Sequence, residues 1–119
     1  MKKKILIAED DQAIREIIKS ILENEGYIVL LPQSEHAIHK AARDESPVLI
    51  LLDIWLDGHD GGKIAKDLKE KQETKNIPII MMSANNETEK ITKAAGANDF
   101  LLKPFNIDDL LSLVRKHTE

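Results

Sequence analysis

Five short apolar runs punctuate the chain: "ILIA" at 5–8, "YIVLL" at 27–31, "VLILL" at 48–52, "IPIIMM" at 77–82 and "FLL" at 100–102. The run Val48-Leu49-Ile50-Leu51-Leu52 has no polar alternation, the pattern of a strand buried on both faces. Between the runs, apolar residues recur at helical spacing. Ile14, Ile17, Ile18, Ile21 and Leu22 make a stripe closed by Gly26, and Ile107, Leu110, Leu111 and Val114 make another. Asn106 stands as the N-cap of the second stripe. Asp108 and Asp109 fall in its first turn and Arg115 and Lys116 in its last, all suited to the helix dipole. The segment 87–95 offers only Ile91, Ala94 and Ala95 and predicts the weakest helix. Strand and helix alternating five times predict an α/β fold, a doubly wound five-stranded parallel sheet with helices on both faces. The expectation is a single domain over residues 1–119.

Composition narrows the function classes. Hydrophobic residues are 42% of the chain, enough for a packed core. The absence of cysteine removes disulfides and thiolate chemistry and fits a reducing cytoplasm. The opening "MKKKILIAEDD" is basic then apolar, but its apolar part ends at Ala8, too short for a signal peptide or a membrane span. Net charge is −4 and the basic residues are scattered, which argues against direct nucleic-acid binding. One Trp, one Tyr and two Phe give little to stack on bases.

In open α/β sheets, ligands bind beyond the carboxyl ends of the strands. Just past the first strand come Glu9, Asp10 and Asp11, past the third Asp53, past the fourth Ser83, and past the fifth Lys103 and Pro104. Each has an ordinary explanation alone: Asp11 as a helix cap, Ser83 as a turn residue, Lys103 as a solvated cation. Together they converge on one crevice. Carboxylates about 4 Å apart repel by roughly 4 kcal/mol at an effective dielectric near 20, so this edge calls for cations. Lys103 supplies one, and an oxygen-liganded Mg²⁺ is the natural second. Zinc is disfavoured, because no His stands at a strand end. A carboxylate beside Mg²⁺, a hydroxyl and an ammonium suits phosphoryl transfer onto Asp53. The Ser83 hydroxyl can then donate to the phosphoryl group and shift its loop, making a switch.

Four stretches, "ILIAEDDQAIRE", "LLDIWLDGHDG", "IIMMSA" and "AGANDFLLKPF", resemble the receiver domains of bacterial two-component response regulators, CheY-like in type. The resemblance spans essentially the whole chain. It implies a flavodoxin-like (βα)5 sandwich with strand order 2-1-3-4-5. It implies Glu9, Asp10, Asp53 and the Trp55 carbonyl as Mg²⁺ ligands, Asp53 as the phosphoacceptor, and Ser83 and Lys103 as its catalytic partners. Phe100 falls at the switch aromatic, beside Ser83 in that role, and Pro104 where a cis bond is common. The partners implied are a histidine kinase or histidine phosphotransfer protein and a downstream effector or output domain, reached through the face of the fourth helix, fifth strand and fifth helix. A monomer or a weak phosphorylation-dependent dimer is expected, catalysing only its own phosphorylation and dephosphorylation.

The chain also departs from the family pattern. Asp57 stands where proline is common, and Ser83 to Lys103 is about two residues short, a deficit expected in the fourth helix. The charge pairs of one dimerising subfamily are not evident. Trp55 puts a large ring at the mouth of the site, and Asn85 follows Ser83 by two. Both are expected to tune how fast water reaches the acyl phosphate. His59 and Asp60 read as exposed turn residues. Three rival readings weaken on inspection. A haloacid-dehalogenase-type phosphatase wants a second Asp where Trp55 stands. An FMN carrier wants a Ser/Thr/Gly-rich phosphate loop where three acids stand. A pseudo-receiver acting as a phosphorylation-independent interaction module would not need every chemical position filled.

Overall fold

The computed structural model describes residues 2–56 and 58–119. Asp57, and with it the expected extra charge at that position, lies outside them. The chain runs β1 (Lys4–Ala8), α1 (Gln12–Asn24), β2 (Ile28–Leu30), α2 (Glu35–Asp44), β3 (Leu49–Asp53), β4 (Trp55–Leu56), β5 (His59–Asp60), α3 (Gly61–Glu70), β6 (Ile79–Ser83), α4 (Thr88–Ala95), β7 (Asp99–Leu102) and α5 (Ile107–Thr118). The main sheet has order β2-β1-β3-β6-β7, all pairs parallel. Counting only its own five strands, that is the expected 2-1-3-4-5.

Strand polarity in the sequence explains this sheet. Leu49 to Leu52 of β3 are fully buried, because β3 is central and has helices on both sides. Leu6, Ile50, Leu52 and Met81 face one core layer, shared with Ile38, Ile64, Leu68 and Ala95 from α2, α3 and α4. Ile5, Ile7, Leu49, Leu51, Ile80 and Met82 face the other, with Ile18, Leu22, Leu110 and Val114 from α1 and α5. By contrast β2 pairs only with β1, and as an edge strand it keeps three residues of the 27–31 run.

Helix starts follow the expected side-chain caps at Asp11 and Asn106, and Ser34 adds one that was not expected. Asp11 accepts from Ile14 N at 3.0 Å, Ser34 from Ala37 N at 3.0 Å and Asn106 from Asp109 N at 2.7 Å. The segment singled out as weakest becomes α4, eight residues with no side-chain cap, ended by Gly96 at φ +77°. Among the described residues it is the shortest of the five helices.

The hairpin after β3 was not expected. Trp55 pairs with Asp60 and Leu56 with His59 in an antiparallel ribbon of two residues a side, too short to leave a period-2 pattern. His59 therefore sits in a strand rather than a bare turn, exposed, with Nδ1 3.9 Å from Glu35 Oε2. Asp60 caps α3, accepting from Gly62 N at 2.9 Å and Lys63 N at 3.3 Å.

At the start of β7, Asp99 Oδ2 lies 3.0 Å from His117 Nε2 and 3.2 Å from Lys116 Nζ. Burial raises its pKa, but hydrogen bonds from His117, the Phe100 N–H and Lys116 outweigh that and hold it below the usual carboxylate range. A depressed folded pKa contributes stability that is complete above the unfolded value, about pH 4, and lost as pH falls through the folded one. Asp99→Asn is thus expected to melt below the parent at neutral pH, the gap closing below about pH 4 in thermal melts.

Candidate functional site

Because all five strands are parallel, their carboxyl ends share one edge. Glu9 follows β1, Asp53 ends β3, Ser83 ends β6 and Lys103 follows β7. The edge is held together by main chain. Ile54 N donates to the Met82 carbonyl at 2.9 Å and Lys103 N to the Ser83 carbonyl at 2.9 Å. Glu9, Asp53 and Ser83 are buried to within 5%, 6% and 2% of full exclusion, so their polar atoms need partners.

They have them. Lys103 Nζ donates to Glu9 Oε1 and, at 2.7 Å, to Asp53 Oδ2, so one ammonium grips both carboxylates. The remaining oxygens accept from main chain, Glu9 Oε2 from Asp11 N at 3.1 Å and Asp53 Oδ1 from Trp55 N at 3.0 Å. Arg15 Nη1 donates to the Glu9 carbonyl at 3.3 Å. Burial pushes the Glu9 carboxyl up, Lys103 pulls it down and neighbouring Asp53 adds to the rise, leaving it above the ordinary range. Burial works against the Lys103 ammonium, but its bonds to Asp53 and Glu9 prevail and raise its pKa, so the lysine is charged here. Ser83 Oγ accepts from Asn85 N at 2.9 Å, which leaves its own proton to donate.

The other expected residues lie around this centre. Asp10 is exposed and, with Glu9, Arg15 and Glu35, lines a cleft of about 320 Å³ beside the acids. The Trp55 side chain is 58% exposed and lines a different groove, between α3 and α4. Asn85 is half-buried, and its Oδ1 accepts from Glu87 N at 2.7 Å. Phe100 is half-buried against the core layer under α2, α3 and α4. Lys103–Pro104 is cis, as the resemblance implied.

Two residues that the sequence did not mark as part of the site shape it. Gly61 N donates to the Ile54 carbonyl at 2.7 Å, and a Cβ on Gly61 would stand 2.0 Å from the Asp53 carbonyl oxygen. Only glycine lets α3 begin against β3 at this distance. Arg15, on α1, braces the Glu9 main chain. The Gly61-Gly62 pair was visible in the sequence, but not which glycine the packing requires.

Among the described residues no three His, Cys, Asp or Glu side chains gather as a ready-made metal cage. Mg²⁺ commonly takes one or two carboxylates, with water and phosphate oxygens completing its shell. Glu9 and Asp53, held side by side by one ammonium with the exposed Asp10 next in the chain, are an all-oxygen donor set that fits such an ion.

A family model described as "Response regulator receiver domain" matches residues 5–115. The phosphate regulon transcriptional regulatory protein PhoB of Pseudomonas aeruginosa is 37% identical over 115 residues, covering 95% of this chain and 50% of that protein. The chain spans about half the length of the curated relatives it matches. Among solved structures, a putative response regulator from Chloroflexus aurantiacus matches with a TM-score of 0.93 at 28% identity, over 99% of this chain and 98% of that one. The receiver domain of the sensor histidine kinase PA1611 from Pseudomonas aeruginosa, described with a magnesium ion coordinated in its active site cleft, matches at 0.89 and 26% identity, over 99% and 98%.

Proposed function

This chain belongs to the response regulator receiver domain family, and from that we propose that it is a phosphorylatable switch of a two-component relay. Asp53 is the acceptor. One of its carboxylate oxygens bonds to phosphorus as the bond from phosphorus to the donor's imidazole nitrogen breaks, and the nitrogen keeps the electron pair and is reprotonated. The donor is a histidine kinase or a histidine phosphotransfer protein. Glu9, Asp10, Asp53 and the Trp55 carbonyl would hold Mg²⁺, which when bound neutralises charge on the phosphoryl oxygens. The observation that supports this most is the single Lys103 ammonium shared by Glu9 and Asp53, already positioned to follow the phosphoryl oxygens.

After transfer, the Ser83 hydroxyl donates to a phosphoryl oxygen. That draws in the loop after β6, turns Phe100, and alters the face of α4, β7 and α5 for a downstream effector or output domain. On this reading the chain catalyses only its own phosphorylation and dephosphorylation, acts in the cytoplasm and contacts proteins rather than nucleic acid. It is a monomer or a weak dimer formed on phosphorylation. Among the described residues no helix is long and apolar enough to cross a membrane.

Trp55, the only tryptophan, reports on its own site, since its main-chain N–H donates to Asp53 Oδ1. Titrating Mg²⁺ while following its emission should give a saturable change. Beryllofluoride should then give a second change, lost in Asp53→Asn. A folded parent that responds to neither would overturn the reading in favour of a pseudo-receiver.

Trp55 and Asn85 remain the residues we assign to tuning the phosphoryl lifetime. The exposed ring borders α3 and α4, so it shields one approach to the acyl phosphate and not the cleft beside Glu9. Trp55→Ala should shorten that lifetime by less than tenfold, under about 1.4 kcal/mol of barrier, measured as loss of radiolabelled phosphate with time. An unchanged lifetime would rule the ring out.

A further inference from the structure

The groove between α3 and α4 is lined by none of Glu9, Asp53, Ser83 and Lys103, and its makeup is unusual for this chain. It encloses about 430 Å³ and is lined by Ile54, Trp55, Ile91, Ala94, Lys63 and Lys66 among others. Gly62 brings the two helices close, since a Cβ there would stand 3.1 Å from Ile91 Cγ2, so Ile91 lies against the start of α3. The Trp55 ring, 58% exposed, borders the groove at the hairpin end. An exposed tryptophan beside a half-buried isoleucine and an exposed alanine is apolar surface left open to water.

Among the charged residues that line it, two lysines face one carboxylate. The chain carries −4 overall, but Lys63 and Lys66 on α3 are exposed along the groove, while on α4 the exposed Lys90 and Lys93 are balanced by the exposed Glu87 and Glu89. Among the described residues none of these four lysines makes an ion pair. The carboxylate that lines the groove, Asp60, is committed to the Gly62 and Lys63 N–H groups at the start of α3.

We propose that the α3–α4 groove, walled by Trp55 and Ile91 and rimmed by Lys63 and Lys66, docks an acidic amphipathic segment of a partner protein. Its bulky apolar side chains pack on Trp55, Ile91 and Ala94 while its carboxylates meet the unpaired lysines. This is the helix-in-groove mode of recognition, with apolar anchors giving affinity and rim charges giving choice of partner and on-rate. A second copy of this chain fits less well, because the surface offered would have to match a cationic groove from a protein that is acidic only on average. The inference goes beyond phosphorylation and does not depend on it.

The probes are three synthetic helical peptides: one with Phe and Leu on one face and Glu on the other, its Glu→Lys counterpart, and an all-polar acidic control. Each is titrated into the full chain while Trp55 emission and backbone amide shifts are followed. The acidic amphipathic peptide should bind saturably, with shifts confined to α3, α4 and the hairpin, and weaken as salt rises. Lys63→Glu/Lys66→Glu, exposed positions whose change leaves the fold and Asp53 phosphorylation intact, should weaken it about tenfold. Ala94→Asp should do the same from the groove wall. Equal binding by the lysine peptide, equal binding by the all-polar control, or no saturable change up to about 1 mM peptide would each overturn the proposal. So would sedimentation showing that the free chain dimerises through this face.

Discussion

Lys103→Ala is expected to slow phosphoryl transfer onto Asp53 from a small-molecule donor by roughly 10²–10³-fold, the usual cost of losing one preorganised donor to a developing anion. The geometry specifies why this lysine and no other. Its Nζ is the cation bonded to both Glu9 and Asp53, and its main-chain N–H is tied to Ser83. Removing the ammonium leaves two nearly excluded carboxylates facing one another, with repulsion of about 4 kcal/mol at a 4 Å separation and an effective dielectric of 20. A second result follows that a purely structural lysine would not produce. Mg²⁺ has to compete with the ammonium in the parent but not in Lys103→Ala, so the rise in Tm on adding Mg²⁺ should be larger in the variant. Melting both proteins with and without Mg²⁺ checks it, and equal increments would show that Glu9 and Asp53 are not the metal's ligands.

Gly61→Ala is expected to be the most damaging single methyl addition in the chain. A Cβ at Gly61 meets the Asp53 carbonyl oxygen at 2.0 Å and the Ile54 Cα and carbonyl oxygen at 2.9 Å, all of them backbone at the end of β3 and the residue after it. Relief by rotating a side chain is therefore not available. Overpacking of this kind costs about 1–3 kcal/mol or more, and alanine's better helix propensity returns no more than about 1 kcal/mol at the first residue of α3. The net loss should lower Tm by roughly 5–10 °C. Since the displaced atoms belong to Asp53 and Ile54, phosphoryl acceptance should fall as well. Gly58→Ala separates this from ordinary glycine effects: Gly58 has φ +75° but open space around its Cβ position, so it should lose about 1 kcal/mol and little activity. If the two variants behaved alike, the close approach of α3 to β3 would not matter to the site.

Much of the site was legible in the sequence because a parallel sheet converts a local property into a spatial one. Every strand runs the same way, so whatever follows a strand's last apolar residue arrives at the same edge. That is why Glu9, Asp53, Ser83 and Lys103, spread over 94 positions by the span of the Glu9–Lys103 hydrogen bond, could be assembled from the ends of apolar runs alone. The helix caps at Asp11 and Asn106 were legible for a related reason, since a cap is satisfied within three residues of itself. The two-residue strands of the hairpin were not, because two residues are too few to show a period.

What only the tertiary structure decided depends on how elements distant in the chain approach one another. Three glycines, Gly58, Gly61 and Gly62, stand in this stretch, and nothing local says that Gly61 is the one pressed on the Asp53 carbonyl. Trp55 is two residues from Asp53, and its main chain does reach that carboxylate, but its ring borders α3 and α4 because that is where the hairpin turns it. Lys103 was placed at the right edge by counting, while its grip on both carboxylates required β1, β3 and β7 to be packed at fixed spacing. The sequence by itself determined the kinds of element, the sheet's direction and the residues at its reactive edge, since periodicity and polarity are properties of a few neighbouring residues. Contacts of 2–3 Å between segments far apart are set by the packing of both core layers at once, and that sum is written in no single stretch of chain.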